Sequence, residues 1–493
     1  MATVTEESVR AAQKRPDRRM LTATPPAPMD LRVPAQVRKD LRDERRARRR
    51  GPMPPGNPYP SWTTTLTTFT DPLKMLLENR RRYGPVFTLR HGHELIVWAI
   101  SPTANHEVLV SKADAFGWRE GRFRDLWPLM GDGFFAIDGD YHRQMRRMLL
   151  PGFHADAVHG VAGDTVAEVV AAVEQLPAKG IVDINHWVRD TAMRVALRVL
   201  LGIDREDDEI HRIANAFERA LAFHGYSIPT QMLRGPRTPY ARTQQARAEL
   251  DGHVYEEIRR RRAAGDPGRG VLGLLLQCTD GDGNPLPEHT IRDLAITVMF
   301  AGHDTTTATF TFLTYELGRH PHAREALLDE LDTVLGENDP TPDQLDGRAL
   351  PVLERTLDET LRRYPIAWIG PRRVLEDVEL DGVMVPKGVG MFYSSWATHH
   401  LEEFYPSPMA FDPDRFLPGG QVEQLPKGSY IPFGGGSRMC LGKRFAQYEL
   451  RALTAVALRR FTIDPDPADP LKMSFTPTLG PKNGLRYFVT RRD

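Results

Sequence analysis

The stretch Phe433-Gly434-Gly435-Gly436-Ser437-Arg438-Met439-Cys440-Leu441-Gly442 places one of the chain's two cysteines in a glycine-rich loop, just ahead of a helix-forming run. A thiolate there accepts hydrogen bonds from backbone N–H groups that the glycines leave free to approach, and it can ligate a metal. A buried free cysteine beside a turn is the simpler alternative.

Ala301-Gly302-His303-Asp304-Thr305-Thr306 lies inside a helical run expected from about 288 to 320, ahead of Pro321. Ala301 and Gly302 make a shallow helix surface that can admit a cofactor face. The threonine hydroxyls compete with backbone hydrogen bonds, so a local opening of the helix is expected. Small-residue packing with threonines bonded back onto the helix is the alternative. Glu359-Thr360-Leu361-Arg362 puts an acid and a base three apart on a helix expected to start near Pro351, a pair that alone is commonplace on surfaces.

Together these motifs resemble the cytochromes P-450, the haem-thiolate monooxygenases, in the family's order from the proline-rich segment to the end of the chain. The resemblance implies a mostly α fold with a minor β-sheet subdomain, and haem b with Cys440 as axial thiolate. Phe433 would shield the sulfur, and the backbone around Leu441 and Gly442 would donate hydrogen bonds to it. Ala301 would face the cofactor. Thr305 would orient water on the oxygen side, and Asp304 would relay protons from solvent. His303 falls in a variable slot and is expected to be a surface or packing histidine. Glu359, Arg362 and Arg415 would form a buried structural network, with Asp414 standing where many members have glutamate.

Haem propionates need cations at one edge. By resemblance these are His142, Arg146, Arg372 and Arg438, with Arg373 an ambiguous neighbour of Arg372. The substrate-facing surface would include Phe116, Trp118, Phe123, Trp127, Met299, Phe300, Ala301, Ile366 and Trp368, a largely apolar set suited to a small apolar organic substrate. Arg119, Arg122 and Arg124 could meet a carboxylate at the entrance, although solvent exposure is the simpler expectation.

Several elements must position these residues. Val86–Leu89 and Leu95–Ala99 read as a strand pair joined across Gly92. Helical periodicity marks Val166–Glu174, Trp187–Leu201, Val254–Arg262 and Phe445–Phe461, with 230–240 as a connector. Late strands are expected at 378–383 and 485–489. Residues 1–50 end in an arginine-rich run expected to be a flexible basic tail or short exposed helix, with contact to an anionic membrane or acidic partner as the alternative. A proline-rich hinge, 51–58, would separate it from a single domain over 59–493.

The 65 basic and 65 acidic side chains among 493 residues cancel, which argues against a global drive toward nucleic acid. Two cysteines cannot supply a disulfide framework or an all-cysteine iron–sulfur cluster. No apolar run suggests a transmembrane anchor, and a cytoplasmic protein is expected. No flavin or nicotinamide domain follows Asp493, so electrons from NAD(P)H would arrive indirectly, through a ferredoxin or flavodoxin and its reductase docking near Lys443 and Arg444. O2 would be the cosubstrate. The rival readings are a peroxide-using peroxygenase or isomerase, and a haem-based sensor or ligand carrier.

Overall fold

The computed structural model describes residues 33–492 except 120, 122–126, 226–229, 231–232, 281–282 and 337. The main helices are α1 (Val33–Arg50), α2 (Trp62–Thr70), α3 (Gly139–Leu149), α4 (Ile184–Val195), α5 (Asp207–Leu221), α6 (Glu288–Arg319), α7 (Pro351–Arg363) and α8 (Lys443–Arg460). Strands β1 (Gly56–Asn57), β2 (Val86–His91), β3 (Glu94–Ala99), β4 (Phe116–Gly117), β6 (Gly370–Val374) and β7 (Gly390–Tyr393) form a mixed sheet in the order β1-β2-β3-β7-β6-β4. A second sheet joins β5 (Lys179–Asp183), β8 (Phe461–Pro465) and β9 (Arg486–Arg491), with β9 in the centre.

Helix α6 is the axis of the molecule. It is buried on nearly all sides, so it carries polar residues only where they have a task or a bond to make. Around it, α4, α8, α7 and β8 pack their apolar stripes into one large core that includes Val188, Ile296, Phe310, Leu453 and Phe461. The mixed sheet packs its own cluster, in which Trp98 meets Phe392 edge-on at 5.1 Å. Each such buried aromatic contributes on the order of 2 kcal/mol through removal from water.

Local chemistry sets the element ends. Asp183 caps α4 by accepting from His186 N at 3.0 Å, and Glu330 accepts from Val352 N and Leu353 N at 2.6 and 2.8 Å, satisfying the start of α7. The expected helices are all present, with shifted ends. The 187–201 run ends as α-helix at Val195 and finishes in a π-helical turn, Ala196–Leu200, and 254–262 is the later part of a helix that begins at Pro239. The expected 378–383 strand is instead a hairpin, Val378–Leu380 with Val383–Val385, because Asp381 and Gly382 both adopt positive φ.

Two expectations at the amino end need correction. Residues 33–50 are helix α1 rather than a tail: it is exposed along its outer side and buries Asp40 and Ala47 against the body. Residues 51–58 are not a free hinge either, because β1 pairs in parallel with β2 and Thr88 N donates to Pro55 O at 2.8 Å. Gly56, at φ +152°, approaches Thr88 so closely that a Cβ would sit 2.0 Å from its carbonyl oxygen.

Candidate active site

The cysteine loop runs from β-like backbone at Gly435 into the N-terminus of α8. Gly436 has φ +62°, and a Cβ there would lie 2.0 Å from Leu109 O, so the close approach of the two backbones excludes any side chain. Cys440 N donates to Phe433 O at 2.9 Å, which closes the loop and holds the thiol. Cys440 presents accessible surface, yet enough protein surrounds it for burial to push its thiol pKa up; Gly442 N–H, Arg146 and Lys443 pull the other way. Those facts agree if the sulfur stands on the wall of an internal space.

The accessible residues of α6 mark a second wall. Residues 290–300 and 306–314 are buried, whereas Ala301, Gly302 and Thr305 retain accessible surface. Thr305 Oγ1 donates to Ala301 O at 2.7 Å, and Thr307 and Thr309 likewise bond back four residues. The expected opening of the helix does not occur: α6 continues without a break through the motif, the back-bonded hydroxyls being compatible with an intact helix.

Asp304 is buried and both its oxygens are engaged. Arg189 of α4 donates to Oδ1 at 2.9 Å, and Thr478 donates to Oδ2. Arg189 also donates to Glu218 of α5 at 2.8 Å. His303, expected as a surface or packing residue, is fully buried, with Nε2 2.8 Å from Glu218 Oε1 and its ring edge-on to Phe217. Burial works to raise Glu218, but His303 and Arg189 outweigh it and hold the carboxyl at about 2.

A cationic edge is assembled from distant segments beside the cysteine loop, whose Ser437 and Arg438 line the same cavity. His142 is buried and its Nε2 has no partner among the described residues; burial first, then Arg438, Arg146 and Arg143, depress its pKa to about 3, so the ring is neutral at pH 7. Arg372 is buried, forms no ion pair among the described residues and stacks on Trp118 at 3.7 Å; Arg438 lies over the same ring at 5.0 Å and donates to Asp138 at 2.7 Å. His142, Arg372, Arg438, Phe116 and Trp118 line one cavity. Arg146 sits beside them and donates to Met439 O at 2.8 Å, gripping the cysteine loop. Arg373, alternating to the other face of β6, donates to Asp40 of α1 at 3.2 Å.

Glu359, Arg362 and Arg415 lie together in the interior. Arg362 makes paired bonds to Glu359 at 2.6 and 2.8 Å and also binds the His399, Pro408 and Ala410 carbonyls. Arg415 Nε stands 3.7 Å from Glu359, and all three side chains are buried. Asp414 faces Arg355 at 3.2 Å, outside the trio.

The expected apolar lining is only partly assembled. Phe300 meets Phe135 edge-on at 6.2 Å, and Phe135 stacks on Trp118 at 6.4 Å. Trp118 belongs to the cationic edge rather than to an apolar wall. Met299 is 0% exposed in the main core, and Ile366 and Trp368 belong to the sheet-side core, where Trp368 bonds Phe475 O at 2.9 Å; strong packing claims these three. Phe123, Arg122 and Arg124 lie outside the described residues, as does the side chain of Trp127, whose backbone opens the short helix Trp127–Met130.

Three residues escaped the sequence reading. Arg189 and Glu218 carry no local signal among the chain's many charges. Glu449 carried a faint one: it is an acid set directly between Tyr448 and Leu450 in α8. Its Oε2 accepts from Thr306 at 3.0 Å, its Oε1 has no partner among the described residues, and burial raises its pKa to about 8.

An accessible cysteine in a loop leading into a helix N-terminus, accessible Ala301, Gly302 and Thr305 on a buried helix, and a cavity carrying His142, Arg372 and Arg438 are the features this fold assembles. Residues 53–487 match the cytochrome P-450 family, and the chain belongs to it; it is a monooxygenase. It is 30% identical to the cyclooctat-9-en-7-ol 5-monooxygenase of Streptomyces melanosporofaciens, over 86% of this chain and 95% of that one. It is also 30% identical to the pentalenene oxygenase of Streptomyces avermitilis, over 83% of this chain and 91% of the relative, and 29% identical to abscisic acid 8'-hydroxylase 2 of Arabidopsis thaliana, over 89% and 90%. A cyanobacterial member solved with retinoic acid bound superposes with a TM-score of 0.79 at 26% identity, covering 90% of this chain and 99% of that one.

The residues fit haem. The Nε2 of His142, which has no partner among the described residues, and the buried guanidinium of Arg372 are donors suited to anionic oxygens, as propionates would provide, and the accessible Cys440 thiol would supply a soft ligand to the iron. No helix of the described residues is long and apolar enough to cross a membrane.

Proposed function

We propose that this protein hydroxylates or epoxidises an apolar substrate of isoprenoid-type carbon skeleton, with electrons supplied by a separate ferredoxin or flavodoxin and its reductase. The observation that carries the reading is the accessible Cys440 thiol within the same fold as the cationic cavity of His142, Arg372 and Arg438. Cyclooctat-9-en-7-ol, pentalenene, abscisic acid and retinoic acid, named in the relatives, support the substrate class.

Cys440 would ligate the iron, with Phe433 beside it. His142, Arg372 and Arg438 would hold the propionates, while Arg146 keeps Met439 and the loop in place. When bound, the haem supplies the activation of O2. Ala301 keeps α6 low where the cofactor face would lie, and Phe300 with Phe135 excludes water from an apolar ligand. Thr305 can rotate its hydroxyl from Ala301 O to a water molecule, and Asp304 can take a proton from solvent once Arg189, still bonded to Glu218, releases it. A peroxide-using enzyme needs neither residue. Exposed Arg444 and half-buried Lys443, at the start of α8, present positive charge next to the cysteine loop for an acidic electron donor.

A carbon monoxide difference spectrum of the reduced protein tests the ligand: a thiolate-type band is expected, and a histidine-type spectrum overturns the reading. A substrate panel scored by haem spin shift and product mass tests the rest. Turnover with surrogate reductases excludes a sensor or carrier, and reversing the charges of Lys443 and Arg444 should slow reduction in a salt-dependent way.

A further inference from the structure

Helix α1 lies ahead of the residues matched to the family, and it sorts its charges by side. Its acids turn to the body. Asp40 accepts from Arg373 at 3.2 Å and meets His93 at 3.1 Å, Asp43 stands 3.8 Å from Arg373, and Glu44 accepts from Arg90 at 2.5 Å. Ala47 is packed in the sheet core with Val86, Val97 and Met391. The outer side carries Arg38, Arg42, Arg45 and Arg49, whose spacing forms one stripe about 16 Å long. All four are exposed, and within the described residues none pairs with a carboxylate, unlike Arg46, Arg48 and Arg50.

Exposed apolar groups lie on α1 and on the segments that the β2–β3 hairpin joins to it. Leu41, between Arg38 and Arg42, is 36% exposed and shares a groove with Arg38, Arg42 and Arg45. Tyr59 and Leu66 are 74% and 63% exposed. The end of the β2–β3 hairpin ties these groups together. On one side His93 and Arg90 hold Asp40 and Glu44 of α1; on the other, Arg90 Nε donates to Pro58 O at 2.7 Å and His91 meets Thr68 of α2 at 3.1 Å.

We propose that this edge docks on an anionic lipid bilayer, the arginine stripe engaging headgroup phosphates while Leu41, Tyr59 and Leu66 enter the interfacial layer. Guanidinium groups bind phosphate oxygens in pairs, and free arginines have no internal charge to give up. The buried side of α1 is committed to the protein, so the helix cannot sink into the acyl region; attachment is shallow and governed by charge. Because the chain's net charge is zero, the attraction is local and falls once salt shortens its range. An acidic protein could use the arginines, but it would give no role to a separately held tyrosine and leucine. The proposal does not depend on the substrate or the electron donor.

The test is sedimentation of the full-length holoenzyme with vesicles of phosphatidylcholine alone, or of phosphatidylcholine with roughly one-third phosphatidylglycerol. Binding is expected to the anionic vesicles and not the neutral ones, and it should disappear at high salt. The triple variant Arg38→Glu, Arg42→Glu, Arg45→Glu should lose at least about a hundredfold in affinity, with the melting temperature and carbon monoxide spectrum unchanged. The double variant Tyr59→Ser, Leu66→Ser should lose several-fold and become more salt-sensitive. Absence of wild-type binding, or indifference to either variant, overturns the proposal. A triple variant that keeps vesicle binding but loses an acidic ferredoxin assigns the stripe to a protein instead.

Discussion

Arg189 holds Asp304 and Glu218 with one guanidinium, donating to Asp304 Oδ1 at 2.9 Å and to Glu218 Oε1 at 2.8 Å. The proposed proton relay therefore starts from a closed arrangement in which the acid on α6 is bonded to α4, and α5 holds the same arginine. Opening the relay requires Arg189 to release Asp304 while its bond to Glu218 keeps the guanidinium paired.

Arg189→Gln should loosen this exchange. Glu218 is held at about 2, below its unfolded value near 4.5, so its stabilisation is present above the unfolded value and is lost as pH falls toward about 2. Removing one partner raises Glu218 and brings acid unfolding to a higher pH. Because Glu218 is over a third exposed, solvent screening limits the loss near neutrality to about 1 kcal/mol. Thermal melts from pH 4 to 7 check this; an unchanged profile contradicts it.

Thr305→Ala removes the hydroxyl that bonds Ala301 O while leaving α6 intact. Substrate binding, read by spin shift, should be unchanged. Product per electron pair should fall several-fold as reducing equivalents go to hydrogen peroxide, and Asp304→Asn should instead slow turnover by about a hundredfold. Unaltered coupling in Thr305→Ala would remove its role.

Glu359→Gln should be costly. Glu359 and Arg362 are 0% exposed, and burial raises the Glu359 pKa while Arg362, Asp412 N–H and Arg415 oppose it. Neutralising it leaves the buried Arg362 guanidinium with only backbone carbonyls and an amide oxygen among the described residues, and Arg415 with Asp412 4.0 Å away, at a cost of about 3 kcal/mol. The denaturation midpoint should drop, with parallel loss of haem, whereas Asp414→Glu at the exposed Arg355 pair should change little.

Glu449→Gln should flatten a pH dependence. The folded carboxyl titrates at about 8 and the unfolded one near 4.5, so the folded state binds the extra proton between these values. Stability therefore falls as pH rises through that window, by on the order of 3 kcal/mol at pH 7. Gln keeps the bond from Thr306 and removes the titration. Melting temperatures compared at pH 5.5 and 8 should converge in the variant; wild-type melts that rise with pH would refute the assignment.

Much of the site was legible because its chemistry sits at short spacing. Gly436, Arg438, Cys440 and Gly442 share one loop, and Glu359 with Arg362 share one helix face, so the backbone alone brings them near each other. The strand pair at 86–99 was equally readable from alternation. The misreadings have physical causes. Asp381-Gly382 looked like strand because flanking valines dominate the pattern, although an Asp-Gly pair accepts the positive φ of a tight turn. Met299 and Trp368, expected at the substrate, are buried in the two cores, and an apolar side chain reads the same in a core as in a binding wall.

By itself the sequence determined the kind of chemistry: a thiolate loop, an oxygen-side helix and a buried acid–base brace, each a local pattern tied to backbone geometry. Tertiary structure decided the rest. It turned Arg372 toward His142 and sent Arg373 to Asp40, placed His303 on Glu218, and brought Glu449 to Thr306 across 143 residues. It also turned an arginine-rich run into a docked helix with its acids inward. Partners so far apart in the chain meet through packing, and packing is a property of the whole core that no short spacing encodes.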